Sequence, residues 1–200
     1  MPITNCAETL AKSIAQDCTH PLVAGYTGRA VLIPYENIDT LTQNATNPRK
    51  LEAVTLVATT GKCVAVDNIM PTPFDGSNKA SSADSGRIKY TKTLTPRIPL
   101  RGAAVSKELI EPLMTHSQGF LAIVEKLDKA GVGSYEVIGL NSPLKANADG
   151  LTQSESENGG EYIVTMSCSE AWAEAEFMPS AGTYASAKTA FETLYNTNSY

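Results

Sequence analysis

The sequence predicts a mainly β protein with flanking helices: an antiparallel β-sandwich or small barrel with one packed central helix and short helices at both ends. Three observations predict it. The first is a pair of apolar runs, Gly119 to Leu127 and Ser134 to Leu140, joined through Asp128-Lys-Ala-Gly-Val-Gly133. Runs of this length on either side of a glycine-rich turn read as strands of a hairpin. The second is the stretch Arg87 to Leu100, where Ile88, Tyr90, Leu94, Ile98 and Leu100 share one parity and Arg87, Lys89, Thr91, Thr93 and Arg97 the other. Alternation with period two is the mark of a half-buried strand. The third is composition: charged residues make up 18% of the 200 residues, below the usual ~25%, and Thr, Ser, Asn, Ala and Gly fill the gap. Such a surface suits strands, turns and broad polar contacts, and is short of the charges that discourage association.

Taken in order, the chain predicts one structural domain over 1–200, with an N-terminal helical extension at 1–20 and a flexible arm at 71–86. Asn5 can cap the first helix, Glu8 completes a capping box, and Ala7, Leu10, Ala11 and Ile14 form its apolar stripe. Pro21 ends it. Gly28 to Pro34 reads as a strand and the Asn/Thr-rich stretch Tyr35 to Lys50 as a loop. The β-branched runs Glu52 to Ala58 and Lys62 to Asp67 read as a hairpin turning at Thr59-Thr-Gly61.

The arm, "PTPFDGSNKASSADSG", has Phe74 as its one large apolar side chain. By itself it cannot bury enough surface to offset its ordering entropy, so it is expected to gain order against a partner. Its residues Phe74, Asp75, Gly76, Asn78, Lys79, Ser82 and Asp84 are the candidate inter-subunit contacts. In the long strand that follows, Pro96 and Pro99 predict an edge position for its second half. Arg87, Lys89 and Lys92 read as a solvated strand face. Ser106 can cap a helix carrying Leu109, Ile110, Leu113 and Met114, with Pro112 predicting a kink or two short pieces. Leu94, Ile98 and Leu100 are expected to hold the sheet against it.

A polar connection runs through Gly150, and "GGEYIVTMSC" to Cys168 reads as the third central strand. Glu170 to Phe177 reads as one more strand, with helix as a competitor. Glu170, Trp172, Glu174 and Glu176 share a face that must be wet or meet a charged partner. Thr183 can cap a final helix from Tyr184 to Tyr195 whose stripe is Tyr184, Ala187, Phe191 and Leu194.

No reactive constellation stands out. Cys6, Cys18, Cys63 and Cys168 form no CxxC pair, and with only His20 and His116 there is no zinc spacing; Cys168 reads as a small buried apolar residue. The two histidines offer little for a Ser/His/Asp or Cys/His arrangement. Glu170, Glu174 and Glu176 could supply paired carboxylates for glycoside hydrolysis, but aromatic platforms are scarce. Gly61-Lys62 lacks the upstream glycine of a phosphate loop, and Gly131-Val-Gly133 lacks the third glycine of a dinucleotide site. The soft loop's Asp and Asn residues carry no metal pattern. The readings are therefore a non-enzyme without metal or cofactor. A net charge of -5 argues against a protein that grips nucleic acid through phosphates. Without a basic, apolar leader or an apolar run of about 18 residues, a soluble, reducing compartment is expected and no membrane partner.

The order of elements resembles phage tail tube proteins, within the wider group of secretion- and injection-system tubes. The resemblance runs over about Glu52 to Phe177 and is carried by Tyr135-Glu-Val-Ile-Gly139, then Gly150-Leu151, then Glu157-Asn-Gly-Gly-Glu161 before a Thr-bearing strand. It implies a β-sandwich or small barrel flanked by a helix, a virion structural protein whose copies self-assemble into stacked hexameric rings. Its partners would be itself, other phage tail or virion proteins, and DNA sliding through without specific binding. The location implied is the virion, assembled in the host cytoplasm. The alternatives are a capsid decoration or head-tail connector subunit, or a ligand- or glycan-binding β-sandwich with a pocket of Tyr90, Trp172 and Tyr162.

Overall fold

The computed structural model describes residues 25–59, 61–67, 74–82, 88–98, 103–127, 133–153, 161–179 and 182–197. The helical extension expected over 1–20 lies outside them. In chain order the elements are β1 (Tyr26–Pro34), a 3-10 turn (Tyr35–Asn37), β2 (Ile38–Gln43), β3 (Lys50–Leu56), β4 (Val64–Asp67), β5 (Phe74–Ser82) and β6 (Ile88–Ile98). Then come α1 (Ala103–Val105), a π-helical turn (Ser106–Ile110), α2 (Glu111–Thr115), β7 (Phe120–Lys126), β8 (Tyr135–Ile138), β9 (Lys145–Gln153), β10 (Tyr162–Glu170), β11 (Glu176–Phe177) and α3 (Tyr184–Thr197).

Two open sheets make the fold a mainly β sandwich with helices against it. One sheet has the order β2-β3-β11-β8-β7-β1-β4, the other β5-β6-β10-β9. The centre of the larger sheet is covered on both faces, which explains why β7 reads as an unbroken apolar run. Phe120, Ala122 and Val124 join Ala30, Leu32 and Ile138 in a core closed by Leu94, Ile98, Val164 and Met166 of the smaller sheet and by Ile110 and Leu113. Leu121 and Ile123 join Val31, Ile33, Tyr135 and Val137 in a second core under Ala187, Phe191 and Leu194 of α3. A strand buried on both faces loses its alternation.

The last helix matches its sequence reading. Thr183 Oγ1 accepts the N–H of Ser186 at 3.2 Å, and the expected stripe is the face turned to the sheet. The central helix comes in pieces, as Pro112 predicts, through a π-helical turn ahead of α2. Ser106 opens that turn but does not cap it; its hydroxyl lies 3.4 Å from Glu111 Oε1. Leu94 and Ile98 do share a core with Leu109, Ile110, Leu113 and Met114, and Leu100 lies outside the described residues.

Several strand assignments differ from expectation, each because a distant partner decides. β2 replaces part of the loop read over Tyr35 to Lys50, since β3 pairs with it antiparallel. β3 and β4 are not a hairpin: β3 lies between β2 and β11, whereas β4 adds to β1. The arm expected to wait for a partner carries β5, paired with β6 over nine positions from Phe74↔Pro96 to Ser82↔Ile88. A neighbouring strand within the chain supplies the hydrogen bonds that composition alone could not. β6 is consequently an inner strand between β5 and β10, and Pro96 sits within it rather than at an edge. β9 occupies the stretch read as a polar connection. The run from Glu170 to Phe177 is neither a full strand nor a helix; Glu170 ends β10, and Glu176–Phe177 pairs parallel to β3 and antiparallel to β8.

At Gly139 and Gly150 the backbone approaches too closely for a side chain. Gly139 has φ +95°, and a Cβ there would meet Phe120 O at 2.6 Å. Gly150 sits in a bulge where β9 residues between Ala146 and Leu151 lie opposite Thr165; a Cβ would meet Thr165 O at 2.5 Å.

Candidate assembly margins and the buried polar joint

All three pairings of the smaller sheet are antiparallel, and its margins are two nine-residue strands, β5 and β9. The candidate contact residues Phe74, Asp75, Gly76, Asn78, Lys79 and Ser82 all fall on β5; Asp84 lies outside the described residues. Among the described strands β5 is paired on one side only, so its other row of backbone groups forms a margin. The other three margins carry interruptions. β2 has two register irregularities, β9 has its bulge, and β4 spans four residues. Bulges and short length blunt an edge against pairing, and β5 has neither.

Between the sheets lies a cluster of charges that the sequence reading missed. Lys92, read as a solvated residue, is 2% exposed, and its Nζ stands 2.6 Å from Glu136 Oε1 across the sandwich. Glu136 Oε2 accepts the Tyr26 hydroxyl at 3.2 Å and faces Lys126 Nζ at 3.5 Å; Lys126 also pairs with Glu174. Burial, then Glu136, pushes the Tyr26 phenol well above its usual range. Glu170, expected on a wet face, is 3% exposed. Its carboxylate accepts the Gly139 N–H at 2.7 Å and the Asn141 N–H at 3.1 Å, tying β10 to the loop after β8. Burial raises the Glu170 pKa, while those N–H groups and Lys92 pull it down. The signal for Lys92 was its parity with Leu94 and Ile98; for Glu136 it was its place inside an otherwise apolar strand.

This joint ties the two sheets together through Lys92 and Glu136. Cys168 lies within it, its thiol pushed up to about 12 by burial and by Glu170. Cys63, whose Sγ donates to Leu194 O at 3.1 Å, is pushed up to about 11 by burial. Both thiols stay protonated near neutral pH and are poor nucleophiles. The carboxylates weighed as a pair are divided: Glu170 faces the joint, Glu174 meets Lys126, and Glu176 pairs with Lys50 at 2.9 Å. No group of three His, Cys, Asp or Glu able to hold a metal occurs among the described residues. Among them no helix is long and apolar enough to cross a membrane.

On the far face of the larger sheet, Arg29 pins α3. Its Nη1 and Nη2 each lie 2.8 Å from a Glu192 oxygen, and the guanidinium sits 4.4 Å from the Tyr195 ring centroid. The paired hydrogen bonds from Arg29 hold the Glu192 carboxyl below its ordinary range.

Clefts open at the surface among the described residues. One, about 320 Å³, lies between Pro34, Val64 and Phe120 and the helix around Leu109 and Leu113. Another, about 450 Å³, lies between β3 and α3. Neither is lined by Tyr90, Trp172 or Tyr162; Tyr162 packs on the core between the sheets and Trp172 on the core under α3. His116, at the end of α2, borders the first cleft, and His20 lies outside the described residues. The chain matches no family model, no curated protein and no solved structure.

Proposed function

We propose that this chain is a virion structural protein whose copies assemble, through their sheet margins, into stacked rings that form a tail tube. The observation that carries the reading is the smaller sheet: four strands, antiparallel throughout, with a nine-residue strand at each margin. With an even number of alternating strands, β9 of a rotated copy arrives antiparallel to β5, and the regular run of β9 beyond its bulge, Leu151 to Gln153, is the part free to pair. The sheet can then continue from subunit to subunit until the ring closes. Closure removes the margins that would otherwise promote uncontrolled aggregation. The Ser-, Thr- and Asn-rich surface and the net charge of -5 per copy support a lumen that repels DNA rather than holding it. Capsid decoration or a connector role is the competing assignment, and ring stacking separates them.

Negative-stain microscopy of concentrated protein tests this reading. Rings or hollow tubes are expected from the unmodified chain. The double variant Ser77→Lys/Ser81→Lys, which places charge along the β5 margin, is expected to remain unassembled with its circular dichroism unchanged. A monomer at high concentration, or tubes from the variant equal to those of the parent, would overturn it.

A further inference from the structure

We propose that the cleft at the Pro34–Phe120 end of the sandwich is a binding site for a small organic cation, an ammonium group carried on an apolar body. The cleft forms where β1 ends and β7 begins, with Pro34 opposite Phe120 in register and Val64 of β4 beside them. Leu109 and Leu113 of the helical segment close the facing wall. At about 320 Å³ it lies at the small end of the range for ligand sites, room for one ring or a short alkyl body.

Charge decides the class of ligand. Two carboxylates, Glu36 and Glu108, border the cleft, and among the described residues no Lys or Arg lines it. His116 orients the first of them. Its Nδ1 accepts the Gly119 N–H at 3.1 Å, which leaves the ring proton on Nε2, and Nε2 stands 3.4 Å from Glu36 Oε1. The Glu36 side chain remains 55% exposed, so a carboxylate oxygen is open to an incoming donor. The His116 and Phe120 rings, with centroids 4.7 Å apart, offer aromatic surface next to that carboxylate. An anion meets two negative charges here. A bare metal ion meets walls of carbon, with too few oxygens to replace its water shell. An apolar body with one cationic end satisfies both the walls and the rim.

Benzylamine, as its ammonium ion, and benzyl alcohol, its neutral counterpart, are the probes. Each is titrated into the full chain and followed by heteronuclear NMR at Val64, Leu109, Leu113 and Phe120. Benzylamine is expected to saturate and to bind roughly tenfold more tightly than the alcohol, the sum of two partly exposed ion pairs. Glu36→Gln/Glu108→Gln is expected to erase that preference, whereas Glu52→Gln, beside the other cleft, leaves it intact. Both sites are on exposed side chains, and an unchanged spectrum elsewhere reports an intact fold. Equal binding of the two probes, no saturable shift at the four residues, or a preference that survives the double variant would each overturn the proposal.

Discussion

Lys92 and Glu136 belong to different sheets, and their 2.6 Å contact is a charged bond across the middle of the sandwich. Lys92 is held by the β5–β10 side and Glu136 by β8, so neither sheet can slide without separating them. Lys126 and Tyr26 complete the surroundings of the carboxylate. Breaking a buried pair from one side strands the other charge, which costs more than removing both. Lys92→Ala is therefore expected to destabilise the protein by about 3–5 kcal/mol. Lys92→Met combined with Glu136→Leu should recover much of that loss. Urea unfolding of the three proteins checks it; a Lys92→Ala change below about 1 kcal/mol would place the pair outside the joint.

The Glu170 carboxyl titrates above its ordinary value because burial outweighs the Gly139 and Asn141 N–H groups. A folded-state pKa raised above the unfolded one means that the protonated form fits the fold better. The associated stability is fully present below the ordinary carboxyl pKa of 4.5 and is lost as pH rises through the elevated value. Glu170→Gln, neutral at every pH, should accordingly gain on the parent between pH 4.5 and neutrality. Thermal unfolding of both proteins across that interval measures the difference, and parallel curves would contradict the assignment.

Glu192 has the opposite sign. Hydrogen bonds from Arg29 depress its pKa, so its contribution is present above the ordinary value of 4.5 and disappears as pH falls through the depressed one. Arg29→Met is expected to loosen α3 at pH 7 and to cost progressively less as the pH is lowered below 4.5. Hydrogen exchange of the α3 amides, compared between parent and variant at pH 7 and pH 3.5, reads this directly. Equal protection of α3 in both proteins at pH 7 would show that the Arg29 clamp does not hold the helix.

Most elements were readable as segments, whereas their partners were not. β1, β6, β7, β8 and α3 carry their own signals: alternation, apolar runs, a glycine turn, and Thr183 ahead of an apolar stripe. β2, β5 and β9 are polar segments whose strand form comes from pairing with β3, β6 and β10, so composition pointed to loops and an arm. Period two placed Lys92 beside Leu94, but a positive charge in a strand ordinarily faces water. Only the arrival of Glu136 from another sheet makes burial tolerable. Glu170 was misplaced for the same reason, since its partners are backbone N–H groups presented by a loop about thirty positions away.

By itself, the order of residues determined the class of fold, the core strands and the final helix. Periodicity and turn chemistry are local, and a few consecutive side chains suffice to express them. Tertiary structure alone decided which strands became margins, which charges met in the interior, and where a cleft ringed by carboxylates opened. Those features depend on groups far apart in the chain, whose desolvation is tolerable only when the fold delivers the complementary group to the same place.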